Sequence, residues 1–490
     1  MSDLIYRTAI DLAGMIRRRE ASAVEVVEAH LARIEETNGE INAVVTLCEE
    51  RALDRARGAD AALARGESWG DLHGVPITVK DSYETEGVRT TIGDTALADN
   101  VPDWSATVVD RLLGAGAILL GKTNLPPYAR DFQCECELFG RTNNPWDLDR
   151  TPGGSSGGGT AALAAGMIPL ELGADFAGSI RVPAHYCGVY GIKPTEFLVP
   201  SGPIPNKSIR HMVQPGPMAR SAEDLALALK LIAGPDGDTY EVPPVTLVKP
   251  EPRPLASYSI AWMPELPGAK PSAEIKRSIT ELAGGLGEIG CQIFEALPEG
   301  WEFAPLMETW AELGYAEVGS RMDDKTREAT LEALEATPDS ECALLRGLCR
   351  GLSADNRLFA EVLTKRDTFS ASLDRLLEEV EILLMPTSMT TAIPHWPTGK
   401  PIPVDDREET YWTVGLGYTA PTNLTGHPVV TCPIGLGDSG LPIGIQVVGP
   451  RWEDLEVLGF VERLAEFVGP MEWPNASGVR GPEIKSVETP

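Results

Sequence analysis

The sequence is poor in positive charge. Its 490 residues include 42 Lys and Arg against 72 Asp and Glu, which gives a net charge of −30 at pH 7. Proteins that bind nucleic acids or anionic membrane surfaces need basic patches, so this balance argues against both kinds of partner. A well-solvated acidic surface accounts for the excess more simply than an acidic binding face. We therefore expect no nucleic-acid partner.

Long apolar runs are also missing. No run reaches the roughly 20 residues that a membrane-spanning helix needs. The first residues, MSDLIYRTAIDLAGMIRRRE, do not place an apolar block behind a basic stretch, as a secretory signal would. We predict no membrane span and a cytoplasmic location. The eight scattered cysteines contain no C-x-x-C pair and are then expected to be reduced thiols.

Histidine is scarce, and the six histidines lie far apart in the sequence. Cys134 and Cys136 have no second Cys or His cluster near them, so we expect no metal site. Two further motifs lack the context that their functions need. GLGEIG, Gly285 to Gly290, follows a helical pattern, whereas a dinucleotide fingerprint follows a strand. GGSSG follows a turn-rich loop, whereas a nucleophile elbow follows a buried strand and has a histidine partner.

Helical and strand patterns alternate along the whole chain, which favours one layered α/β domain over residues 1–490. One stretch departs from this alternation. Residues 297–373 are rich in Leu, Ala, Glu and Arg, have little strand signal and include Trp301 and Trp310. We predict that this stretch is a helical insertion lying on the core, near the substrate entrance.

Three segments carry the residues that indicate chemistry. TPGGSSGGGTAALAAG places Ser155 and Ser156 inside a glycine run that leads into a helix. In GADFAGSIR, small residues precede Ser179 and could present a row of backbone N–H groups to an oxyanion. No histidine offers itself as a base, so the best candidate is Lys80 at the end of the strand GVPITVK. A lysine acts as a base only when neutral, which requires burial, positive neighbours such as Arg181, or both.

Together these segments resemble the amidase signature family of serine hydrolases. The resemblance extends to GVPITVKDS, GKTNLP, FGRTNNPWD, GPMARSAEDLAL and APTNLTGHPVVTCPIGLGDSGLPIGIQVVGP. It covers nearly the whole chain and is weakest in the predicted insertion. The resemblance implies an α/β fold with a large mixed β-sheet core sandwiched by helices, and chemistry that needs no cofactor.

The resemblance also implies a role for each residue of a Ser–cis-Ser–Lys triad. Ser179 would be the nucleophile, Ser155 the bridging serine on a cis peptide bond, and Lys80 the base. The implied oxyanion hole consists of the backbone N–H groups of Phe176, Ala177, Gly178 and Ser179. The residues implied to hold these loops in place are Ser156, Asp175 and Arg181.

The chain departs from the usual family pattern in two places. Ala174 stands where Thr is usual, and Ala177 stands where the first Gly of Gly-Gly-Ser is usual; an alanine methyl group costs energy wherever φ must be positive. The segment PPYARDFQCECELFG is also unusual, and its family counterpart often lines the acyl pocket. The residues that we expect at the substrate are Tyr128, Cys134, Glu135, Trp301 and Trp310.

These observations predict an amidohydrolase that cleaves a neutral amide, anilide or carbamate bond through a serine acyl-enzyme. Its partner would be a small-molecule amide, and a homodimer is left open. One alternative is a transamidosome-type amidotransferase subunit, which would require glutamine and would pass ammonia to partner chains. A second alternative is a non-catalytic scaffold that keeps the fold.

Overall fold

The computed structural model describes residues 4–201, 209–336 and 342–474. Its centre is an 11-stranded mixed sheet with the strand order β1-β3-β2-β6-β8-β7-β14-β15-β11-β9-β10. These strands are β1 Val44–Leu47, β2 Pro76–Lys80, β3 Ile118–Thr123, β6 Leu170–Asp175, β7 Tyr190–Lys193, β8 Gln214–Ala219, β9 Ser259–Trp262, β10 Gln292–Glu295, β11 Ile382–Pro386, β14 Val429–Leu436 and β15 Pro442–Val448. Two small ribbons pair β4 (Glu135–Cys136) with β5 (Gly140–Arg141) and β12 (Ile402–Val404) with β13 (Arg407–Glu409).

The helices of the described residues are α1 Ala9–Arg17, α2 Ala23–Ile41, α3 Glu49–Ala64, α4 Thr107–Gly114, α5 Gly157–Ala164, α6 Arg181–Cys187, α7 Ala222–Ile232, α8 Ala273–Glu288, α9 Phe303–Gly319, α10 Asp324–Glu335, α11 Ala343–Leu352, α12 Asn356–Glu379, α13 Tyr411–Leu416, α14 Ala420–Thr425 and α15 Asp454–Val468. Local signals set several of these ends. The α2 helix, for example, begins with a capping box between Ser22 and Glu25 and ends at Asn42 in the left-handed conformation.

Helices cover both faces of the large sheet. Successive strand residues point to opposite faces, and β11 shows the consequence. Ile382 and Leu384 belong to an apolar cluster shared with α1, α2, α7 and α15, whereas Leu383 and Met385 belong to a second cluster shared with α9, α11 and α12. The predicted α/β architecture, a large mixed sheet between helices, is confirmed.

The sheet draws its strands from residue 44 to residue 448. The single domain over residues 1–490 stays a prediction. Between β10 and β11, the described residues form only the helices α9 to α12. That this segment is an insertion beside the substrate entrance stays a prediction. The strand β1 has only four residues and lies between the helices α2 and α3.

Among the described residues, no helix is both long enough and apolar enough to serve as a membrane span.

Candidate active site

The sheet brings the ends of two strands together at the site. The strand β2 pairs in parallel with β6, with Val79 opposite Leu172. Because both strands run in the same direction, their carboxyl ends, Lys80 and Asp175, lie at the same edge of the sheet. The glycine run that precedes α5 and the loop that precedes α6 meet at this edge, where the Ser156 N–H donates to the Ser179 carbonyl oxygen over 3.0 Å.

Lys80 lies in direct contact with both serines of the glycine run. Its Nζ donates to Ser155 Oγ at 2.7 Å and to Ser156 Oγ at 3.0 Å. The side chains of Lys80, Ser155 and Ser156 are buried. The peptide bond between Gly154 and Ser155 is cis, as the family resemblance implied.

Burial lowers the pKa of Lys80 to about 8, although Cys134, Asp175 and Glu171 act in the opposite direction. A lysine with this pKa is half neutral at pH 8, whereas an exposed lysine is almost entirely charged there. We expected Arg181 to contribute to the lowering. Burial is the cause instead, and the Arg181 guanidinium is bound to Asp175.

The buried Asp175–Arg181 pair holds the loop that carries Ser179. Arg181 Nε and Nη2 donate to the two carboxylate oxygens at 3.0 and 2.9 Å. Burial opposes the charged carboxylate, but the Arg181 charge and the hydrogen bonds from its guanidinium outweigh this effect and hold the pKa of Asp175 well below its usual range. The other Arg181 contacts are Thr422 and Gln446 at 2.5 Å each, and Asn423. They tie the loop to α14 and β15.

The Asp175 carboxylate also shapes the predicted oxyanion hole. It accepts hydrogen bonds from the N–H groups of Gly178 at 2.8 Å and Ile180 at 3.1 Å. Gly178 has a φ of +117°, and a Cβ there would lie 2.3 Å from Thr419 Oγ1, so only glycine fits. The N–H group of Gly178 is therefore engaged by Asp175, which corrects the expectation that it faces an oxyanion.

Three N–H groups of this loop remain for an oxyanion. Their carbonyls point into the protein, where Phe176 accepts from Trp310 Nε1 at 3.3 Å and Ala177 accepts from Thr419 Oγ1 at 2.5 Å. Within the described part of the chain, no acceptor is bonded to the N–H groups of Phe176, Ala177 or Ser179. Ala177 does not have a positive φ, so its methyl group introduces no backbone strain.

Exposure distinguishes the three serines. Ser155 and Ser156 are 0% exposed, whereas Ser179 is partly exposed. A substrate can therefore reach Ser179 and not the pair inside the glycine run. This difference supports Ser179 as the nucleophile and Ser155 as the connection to Lys80.

The three residues predicted from the unusual segment lie in different surroundings. Cys134 is buried, and a Cβ on Gly157 would lie 2.7 Å from its Cβ, so it packs against the glycine run. Burial raises the pKa of its thiol to about 12, which leaves it protonated. Tyr128 is 50% exposed and its hydroxyl donates to Asp94. Glu135 is exposed and lines a cleft of about 370 Å³ together with Arg130 and Trp396.

Both tryptophans of the helical segment, which we expected at the substrate, are buried. Trp301 and Trp310 are only 1% and 4% exposed, because the apolar side of the segment faces the second core cluster. Trp310 packs against Phe176, with 4.9 Å between ring centroids. Trp301 donates from its indole nitrogen to the Phe369 carbonyl, away from the loop. Trp310 therefore packs against the loop of the predicted oxyanion hole, residues 176–179, and Trp301 belongs to the core.

The histidines have other partners. His185 bonds to the Thr390 carbonyl and the Gly444 N–H, and His427 to Asp374. No histidine in the described ranges hydrogen-bonds to Ser155 or Ser179. The same residues contain no group of three or more His, Cys, Asp or Glu side chains that could hold a metal ion.

Several residues of the site were not singled out from the sequence. They are Thr419, Thr422, Asn423 and Gln446 around the loop, and Thr78, Thr123 and Glu171 beneath Lys80. The first three lie in APTNLTGHP and beside it, a stretch that carries part of the family resemblance. Its polar side chains were a usable signal, but the Arg181 contacts lie 241 to 265 residues away in the sequence.

Comparisons with known proteins agree with this geometry. Residues 25–458 match the family model described as Amidase. A glutamyl-tRNA(Gln) amidotransferase subunit from Salinispora tropica is 35% identical over 97% of this chain and 100% of its own length. A bacterial aryl acylamidase structure superimposes with a TM-score of 0.81 at 27% identity, covering 95% of this chain and 97% of the other. A 6-aminohexanoate cyclic dimer hydrolase gives 0.76 at 26%, with the same coverage. The chain therefore belongs to the amidase family, the amidase signature enzymes that its glycine–serine run resembles.

Proposed function

We propose that this protein cleaves a carboxamide C–N bond through an acyl-enzyme formed on Ser179. The observation that carries the proposal is the 2.7 Å contact between Lys80 Nζ and Ser155 Oγ, buried beside the partly exposed Ser179. A buried amine of lowered pKa and a hydroxyl relay are what a serine nucleophile needs for activation in the absence of a histidine.

The proposed reaction has two stages. Neutral Lys80 takes the Ser155 proton while Ser155 takes the Ser179 proton, and Ser179 Oγ attacks the carbonyl carbon. The oxyanion faces the open N–H groups of the loop, Phe176, Ala177 and Ser179. The C–N bond then breaks, and Lys80 returns the proton through Ser155 to the departing amine. Water attacks the resulting ester and releases the acid and the free serine.

The fate of the released nitrogen separates two candidate functions. The curated relatives, amidotransferase subunits such as the one from Salinispora tropica, are 35% identical over nearly the full length of both chains. These relatives favour the amidotransferase subunit, our alternative, over the neutral-amide hydrolase that we expected. In this candidate, the chain releases ammonia from glutamine and works with partner chains. Those protein partners would replace the homodimer that the sequence left open.

The second candidate is a hydrolase of small amides, anilides or carbamates that acts without partner chains. The specific observation in its favour is the set of solved hydrolases that superimpose on this chain, at 26% and 27% identity. A non-catalytic scaffold is the least favoured, because Lys80, Ser155 and Ser179 are all retained and Lys80 Nζ lies 2.7 Å from Ser155 Oγ. A cytoplasmic location remains our expectation for both candidates.

A fluorophosphonate probe tests the step that both candidates share. Ser179 is the partly exposed serine of the three, so we expect one modified residue, identified by peptide mapping. A Ser179→Ala variant is the matched control and should remain unlabelled. A label on Ser155 or Ser156 in the unmodified protein would contradict the assignment.

Substrate assays on the purified chain separate the two candidates. The hydrolase candidate predicts turnover of an anilide or a carbamate by the chain alone. The amidotransferase candidate predicts ammonia release from glutamine that depends on partner chains, with anilides left intact. A Ser179→Ala preparation run alongside excludes a contaminating amidase.

A further inference from the structure

A carboxylate lies buried beneath the proposed catalytic lysine and has no part in the triad. Glu171, on β6, is 0% exposed. Thr123 Oγ1 donates to its Oε1 at 2.6 Å, and Thr78 Oγ1 donates to its Oε2. Hydroxyl donors on both oxygens favour the ionised carboxylate over the neutral acid.

The strand register places this carboxylate on the same face of the sheet as Lys80. Thr78 lies opposite Glu171, and Lys80 lies opposite Thr123. Residues two apart on a strand share a face, so Thr78 and Lys80 point the same way. The α5 helix covers this face, because a Cβ on Gly159 would lie 2.5 Å from Glu171 Cγ. Any side chain at position 159 would therefore collide with the Glu171 carboxylate.

The charged groups around Glu171 determine whether its carboxylate is ionised when Lys80 titrates. The charges of Lys80 and Lys122 act on the Glu171 carboxylate, and the Glu171 charge acts on Tyr83. Among the described residues, no Lys, Arg or His nitrogen lies within 4.0 Å of the Glu171 carboxylate, the limit for an ion pair. Burial raises the pKa of Glu171 to about 7, although the two hydroxyls and both lysines act in the opposite direction. The carboxylate is therefore mostly ionised near pH 8, where Lys80 gains and loses its proton.

The groups that face Lys80 are Cys134, Asp175 and Glu171. Cys134 is a protonated thiol, and the negative charge of Asp175 is compensated by the Arg181 guanidinium, which donates to both carboxylate oxygens. Glu171 is thus the acidic neighbour of Lys80 whose charge has no guanidinium partner.

We propose that Glu171 is a positioning residue for the amide-cleaving reaction, whose buried negative charge, held by Thr78 and Thr123, balances the proton on Lys80. The inference rests on the proposed function. Burial alone drives a lysine towards the neutral amine and makes it a weak base. A nearby carboxylate opposes that tendency and keeps the amine basic enough to accept the serine proton.

The pH dependence of probe labelling tests the inference without knowledge of the substrate. The label forms on Ser179 when Lys80 is neutral, so the rate rises as pH passes through the Lys80 pKa. Glu171→Gln removes the negative charge, which lowers this pKa and moves the midpoint to lower pH. Relative to its own plateau, the variant should label about 2 to 3 times faster at pH 7.5, where Glu171 is mostly ionised, than the unmodified protein, which corresponds to a midpoint shift of roughly 0.5 to 1 pH unit.

A second buried carboxylate is the matched control. Asp454 is 0% exposed and accepts from the N–H and hydroxyl of Thr195 at 2.8 and 2.6 Å, but it faces Lys193 and not Lys80. Asp454→Asn should leave the labelling midpoint in place. A folded Glu171→Gln protein with an unchanged midpoint, or an equal shift in Asp454→Asn, would overturn the inference.

A third variant tests the inference if the Glu171→Gln protein does not fold. Thr123→Val removes one hydrogen bond to the carboxylate, so Glu171 holds a proton to higher pH and the labelling midpoint moves in the same direction by a smaller amount. An unchanged midpoint there would also overturn the inference. If the unmodified protein is not labelled on Ser179 at any pH, the proposed function itself fails, which distinguishes the two outcomes.

Discussion

Two buried lysines lie on neighbouring parallel strands, and they differ in the groups that they contact. Lys80 ends β2, and Lys122 lies on β3 opposite Val79. Burial lowers the pKa of each to about 8. Lys80 Nζ contacts two serine hydroxyls, whereas Lys122 Nζ contacts Thr90 Oγ1 at 3.0 Å, Thr85 Oγ1 at 3.2 Å and a backbone carbonyl. A lowered pKa alone therefore does not identify a catalytic base. The contact with serine hydroxyls is what distinguishes Lys80 from Lys122.

Replacing each lysine by methionine tests this comparison and has the largest expected effect. Lys80→Met removes the base, so Ser179 labelling by the fluorophosphonate should fall by about 10³-fold or more. Lys122→Met keeps the relay intact and should label within a few-fold of the unmodified protein. Labelling rates on folded protein, checked by circular dichroism, provide the measurement.

The Lys122 variant should instead lose stability. Asp81 Oδ1 lies 3.9 Å from Lys122 Nζ, and both side chains are fully buried. Removing the lysine leaves that carboxylate without its cation, so the denaturation midpoint should fall. Equal losses of labelling in two folded variants would show that burial near the site matters and the serine contact does not.

The two carboxylates near Lys80 make a second comparison, between one bound by a guanidinium and one bound by hydroxyls. Asp175→Asn leaves Arg181 buried without a counter-charge, which should cost about 3 kcal/mol of unfolding free energy. Glu171→Gln removes a carboxylate that has no ion-pair partner and should cost less. Chemical denaturation at pH 7 measures both, and a larger loss for Glu171→Gln would contradict the assignment of charges.

The pH dependence of stability follows from the sign of the Asp175 shift. Its folded-state pKa lies below the usual value of 3.8. The stabilisation is therefore present in full above pH 3.8 and is lost as pH falls towards the folded-state pKa. Between pH 5 and pH 3, the unmodified protein should become less stable relative to Asp175→Asn. A constant difference over that range would show that Asp175 is not the depressed group.

The sequence was sufficient to predict the layered fold and the residues that meet at the site. Alternating helical and strand patterns indicate the α/β class, and the resemblance supplies Lys80, Ser155 and Ser179. The direction of a single N–H group could not be predicted in the same way. The Gly178 N–H group donates to Asp175, and the space at its Cα is filled by Thr419, which is distant in sequence. Burial of the tryptophans likewise depends on which side of the helical segment meets the core, which a weak pattern leaves undetermined.

The tryptophans make the third comparison and have the smallest expected effect. Both indoles donate to a backbone carbonyl, Trp310 to Phe176 at 3.3 Å and Trp301 to Phe369 at 3.5 Å. Replacement by phenylalanine keeps a buried ring and removes one hydrogen bond, worth about 1 kcal/mol. In Trp310→Phe, the unbonded carbonyl belongs to the oxyanion loop, so Ser179 labelling should slow by about 2- to 5-fold. In Trp301→Phe, the carbonyl belongs to the core, so stability should fall while the labelling rate stays unchanged. If the two variants slowed labelling equally, the loop contact would have no special role, and the helical segment would act on the site only through its overall packing.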